Sequence, residues 1–301
     1  MTVQELKSRV RGVISFPITP FGDDLSLDLD GLERNIDEMA SHAFSGLVAV
    51  GGVGELYSLS VTESIEVVRR TVRAVRGRMP VFAGVGYGYP LAVEMARGME
   101  QAGADILLVL PPYYSNPPME GLIRYYQEIG NACGIPLGLY SREWASFTAE
   151  EVAVLAERVP SLHFWKDGQG DTRKLHRIMQ VVGDRLAWLG GIGDDCAPGY
   201  FAVGVQAYSS GIANFAPRLS VAIGEAGLNG DFARLRALTA KYVLPFYKLR
   251  DRARGHEVAT MKEAMRQLGK PAGPVRPPLT ELQPPEVEEI RLVLELLREW
   301  I

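Results

Sequence analysis

Short apolar runs recur along the chain, and each is followed by a turn and then by a segment with helical periodicity. Eight runs are present, with the bounds Gly12–Thr19, Gly46–Gly52, Pro80–Gly86, Ala104–Pro112, Pro136–Ser141, Leu162–Gly168, Leu186–Gly193 and Val205–Ala213. Their apolar residues are largely continuous rather than alternating, which is typical of parallel strands covered on both faces. The pattern therefore predicts eight buried parallel strands.

The segments between the runs predict helices. Ser60 and Glu63 form a capping box before an apolar stripe, and Thr148 and Glu151 form another. The segment Ala197–Val203 gives only a weak helical signal. Eight strand–helix units predict an α/β fold, a (β/α)8 TIM barrel. The alternative is a doubly wound open sheet, which more often has five or six strands and a glycine-rich dinucleotide loop after the first.

The alternation of apolar runs and helical segments ends after the eighth run. Helical patterns then dominate, at Phe232–Leu249, His256–Leu268 and Pro285–Ile301. We therefore predict a catalytic (β/α)8 barrel domain at residues 1–225 and a C-terminal helical extension at residues 226–301 that packs on the barrel.

Composition and charge exclude several classes of protein. The 301 residues are 47% hydrophobic and 23% charged, which is ordinary for a globular chain. With 36 acidic and 32 basic residues there is no basic excess to bind nucleic acid. No secretory leader or membrane-spanning stretch is recognised, and Cys133 and Cys196 form no paired motif. These features predict a cytoplasmic protein without a nucleic-acid or membrane partner.

The residue that closes the sixth run, Lys166, carries the most information. Active sites of TIM barrels lie at the carboxyl ends of the strands, and lysine is rarely buried there without a reason. Desolvation would lower its pKa and keep part of the amine neutral, as an imine-forming nucleophile requires. The alternative is a lysine that reaches solvent or pairs with Asp167.

Two residues at the end of the fifth run are further candidates. Tyr140 could relay protons to and from a group on Lys166, or could be a core tyrosine with its hydroxyl bonded. Arg142 could bind a substrate carboxylate through two hydrogen bonds, or could pair with Glu143 on the surface.

A glycine-rich turn, Gly51-Gly-Val-Gly-Glu55, offers backbone amides just before a helix. This geometry suits a carboxylate or a phosphate, although such turns are common, and it makes Gly52, Val53 and Gly54 candidate substrate contacts. No cofactor or metal is predicted, because the four histidines lack ligand spacing and Asp194-Asp195 is the one acidic pair at a run end. Amine, phenol, guanidinium and amides together suit 2-oxo acid chemistry through an imine.

At these residues the chain resembles the dihydrodipicolinate synthase / N-acetylneuraminate lyase superfamily over almost its whole length. The resemblance is carried by Thr19-Pro-Phe21, the Gly51–Glu55 turn, Pro111-Pro-Tyr-Tyr114, Tyr140 and Lys166. It implies that Lys166 forms the imine and that Tyr140 relays protons. It also implies a homo-oligomer, a dimer or a tetramer, with Tyr114 as a candidate to reach a neighbouring subunit's site.

Within that superfamily the chain is most similar to the 5-dehydro-4-deoxyglucarate dehydratases. The strings that carry this are Gly86-Tyr-Gly88, Lys166-Asp-Gly-x-Gly-Asp171, Tyr208-Ser-Ser210 with Asn214-Phe-x-Pro217, and Gly273-Pro-Val-Arg-Pro-Pro-Leu279. They imply dehydration with decarboxylation of a keto sugar acid to 2,5-dioxopentanoate. Arg142, the Gly52–Gly54 amides and Ser209 or Ser210 would then hold carboxylates and hydroxyls. A pyruvate-dependent aldolase or synthase, and a barrel that binds without turnover, are the alternatives.

Three departures from that pattern surround the predicted pocket. Val53 stands where a threonine is expected, Ser141 and Glu143 replace asparagine and aspartate, and Gly191–Asp195 replaces a Leu-Pro-Thr-Ala type sequence. These departures concern substrate contacts rather than the imine chemistry.

Overall fold

The centre of the fold is a closed barrel of parallel strands. The computed structural model describes residues 1–113 and 116–301, in which eight strands pair in chain order and β1 pairs with β8. The strands are β1 Gly12–Ser15, β2 Gly46–Ala49, β3 Val81–Val85, β4 Ile106–Val109, β5 Leu137–Ser141, β6 Leu162–Asp167, β7 Ala187–Gly190 and β8 Ala207–Ser210. Closure confirms the (β/α)8 TIM barrel, and the doubly wound sheet is wrong because its edge strands would be unpaired.

Helices alternate with the strands and continue beyond the last of them. In the described residues they are α1 Val3–Arg9, α2 Leu29–Met39, α3 Val61–Val75, α4 Tyr89–Gln101, α5 Met119–Asn131, α6 Ala149–Arg158, α7 Thr172–Val182, α8 Ala197–Ala202, α9 Pro217–Leu228, α10 Phe232–Leu238, α11 Leu244–Arg250, α12 His256–Gln267 and α13 Pro284–Leu296. Both predicted capping boxes form, at the starts of α3 and α6. The domain boundary at residue 225 falls inside α9 and stays a prediction.

Side chains fill the barrel interior at the amino-terminal end of the strands. Residues from alternate strand positions form one apolar cluster, which is covered by Leu6 of helix α1 and by Val10 just after that helix. The rings of Phe82 and Phe164 meet in this cluster with their centroids 5.3 Å apart. Because this end is packed, the interior can be open only toward the carboxyl ends of the strands, where TIM-barrel active sites lie.

Alternation along β6 decides which of its residues face the barrel axis. Phe164 belongs to the interior cluster, whereas Trp165 packs outward against Phe147, with ring centroids 5.6 Å apart. By the two-residue period of a strand, Lys166 then points inward and Asp167 outward. Both faces of the strand are buried, which is why its residues form a continuous apolar run.

The C-terminal helices pack against the open end of the barrel. Helices α10 and α11 are joined by a π-helical turn, Thr239–Val243, just before Pro245, whose missing N–H leaves the regular hydrogen-bond ladder incomplete. Helix α12 is buried along most of its length. Across the described residues, every helix falls short of the length or the apolar character that a membrane span requires.

Candidate active site

The carboxyl ends of the strands open into a cavity of about 830 Å³, a size typical of small-molecule sites. Its wall combines strand ends, the Gly51–Glu55 turn and the segment that joins α11 to α12. The predicted site residues in this wall are Gly52, Val53, Tyr140, Arg142, Lys166 and Ser209. Gly54 is buried beside the wall. The predicted contact Tyr114 lies outside the described residues.

Lys166 reaches the cavity from the end of β6 and is only 5% exposed. Its Nζ lies 3.6 Å from the centroid of the Tyr140 ring and 4.5 Å from that of Phe16. Gly191, just after β7, leaves room for the lysine chain, since a Cβ there would come within 2.5 Å of Lys166 Cγ and 2.6 Å of its Cε. An apolar, close-fitting wall therefore surrounds the amine.

The surroundings of Lys166 favour its neutral form. Burial lowers the pKa of Lys166 well below the ordinary lysine value, and the positive charge of Arg142 lowers it further, against a smaller opposing effect of Asp167. Asp167 points away, and its Oδ2 accepts hydrogen bonds from Tyr200 Oη at 2.8 Å and from Gly170 N at 3.0 Å. Within the described part of the chain, the Lys166–Asp167 ion pair considered from the sequence is not formed.

Tyr140 lies directly beside Lys166 in the register of β5 and β6. Burial raises the pKa of the Tyr140 phenol, although the positive charge of Arg142 opposes that shift. Gly168 admits the ring, because a Cβ there would come within 2.3 Å of Tyr140 Cε2. The phenol is therefore protonated at neutral pH, at a position from which it can donate a proton toward a group attached to Lys166.

Arg142 follows β5 and lines the cavity beside Tyr140. Its Nη1 donates to the carbonyl oxygen of Gly168 at 3.4 Å, and its Nε lies 4.0 Å from Glu143 Oε1. The side chain of Glu143 is 78% exposed, so this ion pair is weak. The guanidinium is thus placed to bind a carboxylate ligand through two parallel hydrogen bonds.

The glycine-rich turn presents consecutive backbone amides. In residues 1–113 and 116–301, the N–H groups of Gly52, Val53 and Gly54 have no hydrogen-bond acceptor. The turn is bounded by two residues in the left-handed region, Val50 with φ +48° and Glu55 with φ +55°. Successive unbonded amides of this kind form a concave site for an anion.

Buried charges hold this turn in place from the side away from the cavity. Lys262 Nζ lies 2.6 Å from Glu55 Oε1 and donates to the carbonyl oxygen of Pro274 at 2.7 Å, and both charged side chains are fully buried. The amide of Arg276 donates to Glu55 Oε2 at 3.1 Å. Burial lowers the pKa of Lys262 to about 8, against the opposing effect of the Glu55 charge. The Gly273–Leu279 segment therefore supports the turn and lies outside the cavity wall.

The two serines at the end of β8 face opposite sides of the strand. Ser209 lines the cavity, whereas the Ser210 hydroxyl is fully buried and bonded to Asp194 and, at 2.8 Å, to Ser220 Oγ. Because side chains alternate along a strand, only one of two adjacent serines can reach the cavity. Of this pair the structure brings Ser209 to the site and turns Ser210 away from it.

Sequence reasoning missed the contribution of the C-terminal helices to the cavity wall. Tyr247 and Arg250 of α11 and Met261 of α12 all line it. The Tyr247 hydroxyl accepts from Asp194 N at 2.7 Å and donates to Asp194 Oδ2 at 2.9 Å, which fixes the ring. A helical stripe distant from the strands carries no signal that separates such wall residues from ordinary packing residues.

The donors in the cavity suit imine chemistry. Across the described residues, no group of three or more His, Cys, Asp or Glu side chains is placed to hold a metal ion. A neutral amine beside a protonated phenol can attack a ketone and assist the loss of water from the carbinolamine. The adjoining guanidinium and amides can hold the carboxylate of a 2-oxo acid.

Comparisons with known proteins agree with this arrangement. A model of the dihydrodipicolinate synthetase family matches residues 9–296. A protein of Bradyrhizobium diazoefficiens described as a probable 5-dehydro-4-deoxyglucarate dehydratase is 38% identical over 300 residues, which are 99% of this chain and 96% of that protein. A protein of Rhodococcus opacus with the same description is 40% identical over 281 residues, covering 93% of this chain and 92% of that protein.

A solved structure extends the similarity to three dimensions. The crystal structure of dihydrodipicolinate synthase from Oceanobacillus iheyensis matches with a TM-score of 0.91 at 29% identity, and 99% of each chain is covered. Sequence and structure thus match over nearly the full length. The chain therefore belongs to the dihydrodipicolinate synthetase family.

Proposed function

We propose that this protein is a Schiff-base-forming lyase that removes water and carbon dioxide from 5-dehydro-4-deoxyglucarate and leaves 2,5-dioxopentanoate. The observation that carries the imine chemistry is the buried amine of Lys166, whose Nζ lies 3.6 Å from the ring centre of Tyr140 at the open end of the barrel. The choice of substrate is supported by the full-length relatives described as probable dehydratases of this compound. We further propose that the protein is a homo-oligomer, which light scattering of the purified protein tests, and that it is cytoplasmic, which cell fractionation tests.

The chemistry starts at the ketone carbon next to a carboxylate. The neutral Lys166 amine attacks this carbon, and the carbinolamine loses water to give a protonated imine, with Tyr140 relaying protons to and from the oxygen. The imine withdraws electrons and acidifies the neighbouring methylene. Loss of that proton gives an enamine, which expels the hydroxyl of the next carbon as water.

Decarboxylation uses the same electron acceptor. After the hydroxyl has left, the carbon–carbon double bond is conjugated with the protonated imine. Cleavage of the bond to the distal carboxylate releases carbon dioxide, and its electron pair moves into this conjugated system. Protonation and hydrolysis of the imine then release 2,5-dioxopentanoate and regenerate Lys166. One substrate thus gives one product molecule, one carbon dioxide and one water.

The carboxylate beside the ketone needs an anion site close to Lys166. The unbonded amides of Gly52 and Val53 and the guanidinium of Arg142 border the same cavity, with the Gly54 amide beside them, and would meet this need. Ser209, which lines the cavity, would bind a substrate hydroxyl. Binding through these groups holds the ketone against the amine. Positioning of this kind lowers the activation barrier by up to about 7–11 kcal/mol.

Product analysis tests this proposal against its main alternative. With purified protein and 5-dehydro-4-deoxyglucarate, we expect equal amounts of 2,5-dioxopentanoate and carbon dioxide. Lys166→Ala is expected to abolish both, whereas Lys174→Ala, which removes a lysine bonded to Ser146 on the protein surface, keeps them. Release of pyruvate would favour an aldolase or synthase, and saturable binding without products would favour a binding protein; either result overturns the proposal.

A further inference from the structure

We propose that Arg250, the last residue of α11, binds the second carboxylate of the substrate and makes the site selective for dicarboxylic keto acids. This inference rests on the proposed function and adds the group that recognises the distal end of the substrate. The Gly52–Gly54 amides and Arg142 account for a single carboxylate. A six-carbon diacid bound there through its ketone end carries its other carboxylate toward another part of the wall.

Arg250 is held rigidly at the cavity. It lines the same cavity as Lys166, and its guanidinium carbon lies 4.6 Å from the centroid of the Tyr247 ring. That ring is itself fixed through two hydrogen bonds between Tyr247 Oη and Asp194. A guanidinium stacked on an anchored aromatic ring is already oriented for a planar carboxylate, so little rotational freedom is lost on binding.

The hydrogen-bonding capacity of Arg250 is only partly used. Nη1 donates to Asp251 Oδ1 at 2.5 Å, whereas Nη2 has no acceptor in the described part of the chain. The Arg250 side chain is 18% exposed, whereas that of Asp251 is 57% exposed. A largely buried guanidinium with an unbonded Nη2 is costly, and an anionic ligand in the cavity would satisfy that donor.

Acidic side chains lie near Arg250, and their exposure decides how strongly they oppose an anion there; Asp251, Glu257 and the buried Asp194 all act on its charge. The acidic side chains of Glu143 and Asp251 also line the cavity, but both are largely exposed and their charges are screened by water. Glu257 is partly buried, and Arg254 is exposed at the rim. Arg250 is more buried than either Glu143 or Asp251, so its charge acts on a bound ligand with less screening.

Two six-carbon keto acids that differ only in the distal group test the proposal without turnover. 2-Oxoadipate has a distal carboxylate and 2-oxohexanoate has a methyl group in its place. Their dissociation constants are measured by competition with pyruvate for borohydride-trappable imine on the full-length protein. The variants are Arg250→Met, Arg250→Lys and the matched control Arg252→Met, which removes an exposed arginine paired with Glu289 outside the cavity.

The native protein is expected to bind 2-oxoadipate more tightly. Arg250→Met should raise the dissociation constant of 2-oxoadipate by roughly 10- to 150-fold, the range for loss of a charge-assisted hydrogen bond. The dissociation constant of 2-oxohexanoate should change by no more than about twofold. Arg250→Lys should lose less affinity for 2-oxoadipate, since the positive charge remains, and Arg252→Met should bind it as tightly as the native protein. The proposal is overturned if the native protein shows no preference, if the preference survives in Arg250→Met, or if both ligands weaken equally.

The proposed function and the carboxylate site at Arg250 are tested by different measurements. Turnover of 5-dehydro-4-deoxyglucarate by the native protein tests the dehydratase assignment, whereas the 2-oxoadipate preference is a binding measurement. A preference that depends on Arg250 in a protein that does not dehydrate the sugar diacid would overturn the function and retain the carboxylate site. Dehydration of the sugar diacid by a protein without that preference would support the proposed function and overturn the carboxylate site at Arg250.

Discussion

Lys166 differs from other buried or paired lysines of this chain in what surrounds its amine. Lys7, Lys262 and Lys270 each have a carboxylate oxygen within 2.7 Å. Lys166 Nζ lies instead over the rings of Tyr140 and Phe16. Because the effect of Asp167 only partly offsets the cost of desolvation, the pKa of Lys166 falls well below the ordinary lysine value and the neutral, nucleophilic amine is favoured.

Arg142 is expected to set the pH at which Lys166 becomes reactive. The neutral fraction of the amine grows as pH rises through the pKa of Lys166, so the rate of imine formation has an acid limb at that pKa. Arg142 is one cause of the lowered pKa, and Arg142→Met should therefore move the limb to higher pH. The measurement is the borohydride-trapping rate at saturating pyruvate against pH, with Arg252→Met as control. A limb that stays in place or moves to lower pH would contradict the account.

Val53 stands where the resemblance to the dehydratases predicts a threonine, and its substitution tests the amide site directly. Val53→Thr adds one hydroxyl at nearly constant volume beside the carboxylate. A neutral hydrogen bond contributes about 0.5–1.5 kcal/mol, so the KM for the keto-diacid should fall by roughly tenfold or less. Val53→Ala, which shortens the side chain without adding a hydroxyl, is the control. A higher KM in Val53→Thr would mean that the natural substrate places an apolar group there.

At the residue scale the sequence predicted Lys166 and Tyr140 as site residues, but not the residues of α11 and α12 that line the far wall of the cavity. Lys166 and Tyr140 each close a recognisable apolar run, and strand ends gather at one end of a barrel. Ser209 and Ser210 could have been separated by alternation along β8, which assigns adjacent residues to opposite faces. No such pattern marks Arg250, because its position in the cavity wall depends on how α11 packs across the barrel.

At the scale of single elements, the strands are shorter than the apolar runs that predicted them. The first run extends to Thr19, whereas β1 ends at Ser15. The remaining residues leave the barrel as the loop of the active face, where Thr19 Oγ1 donates to the carbonyl oxygen of Gly54 at 2.7 Å. These loop residues are buried like the strand itself, so hydrophobicity alone could not place the boundary.

The close approach of β6 to the Gly191–Asp195 loop makes position 191 sensitive to a single methyl group. A Cβ at Gly191 would overlap Lys166 Cγ and Cε and would lie 2.6 Å from the carbonyl oxygen of Asp167. Gly191→Ala should therefore displace the amine and reduce imine formation by roughly 100-fold, and overpacking should cost about 1–3 kcal/mol of stability.

The control for this variant is Gly121→Ala in α5. An added Cβ there comes no nearer than 3.7 Å to Pro117, so neither imine formation nor folding should suffer. Trapping rates with pyruvate and thermal unfolding are measured for both variants. Normal trapping in Gly191→Ala would show that the position of the Lys166 side chain does not depend on this contact.

At the scale of the whole molecule, the C-terminal extension is part of the site. It supplies Tyr247 and Arg250 to the cavity wall, and Lys262 and Arg276 to the support of the Gly51–Glu55 turn. The sequence predicted that these helices pack on the barrel, but not that they complete its open end. Pairing between residues as distant as Glu55 and Lys262 depends on the closed fold, which no local pattern encodes.

Breaking the buried pair should be costly for the whole fold. Lys262→Met leaves the Glu55 carboxylate buried without its partner, and we expect the free energy of unfolding to fall by about 3–5 kcal/mol. The double variant Glu55→Gln/Lys262→Met should recover part of that loss. Lys270→Met, which breaks a pair with the partly exposed Glu38, should cost about 1 kcal/mol or less.

Denaturant unfolding of these variants provides the measurement. Equal destabilisation by Lys262→Met and Lys270→Met would show that burial of the Glu55–Lys262 pair adds nothing beyond an ordinary ion pair. A double variant no more stable than Lys262→Met would show that the uncompensated charge of Glu55 is not the source of the loss.

The central claim is that Lys166 forms an imine with 5-dehydro-4-deoxyglucarate, and mass spectrometry of the borohydride-reduced protein tests it most directly. Protein that is turning over the substrate is reduced, digested and mapped. We expect one adduct, located on the peptide that contains Lys166, and no adduct in Lys166→Ala. An adduct on another lysine, or turnover by the native protein without any trapped adduct, would contradict the account.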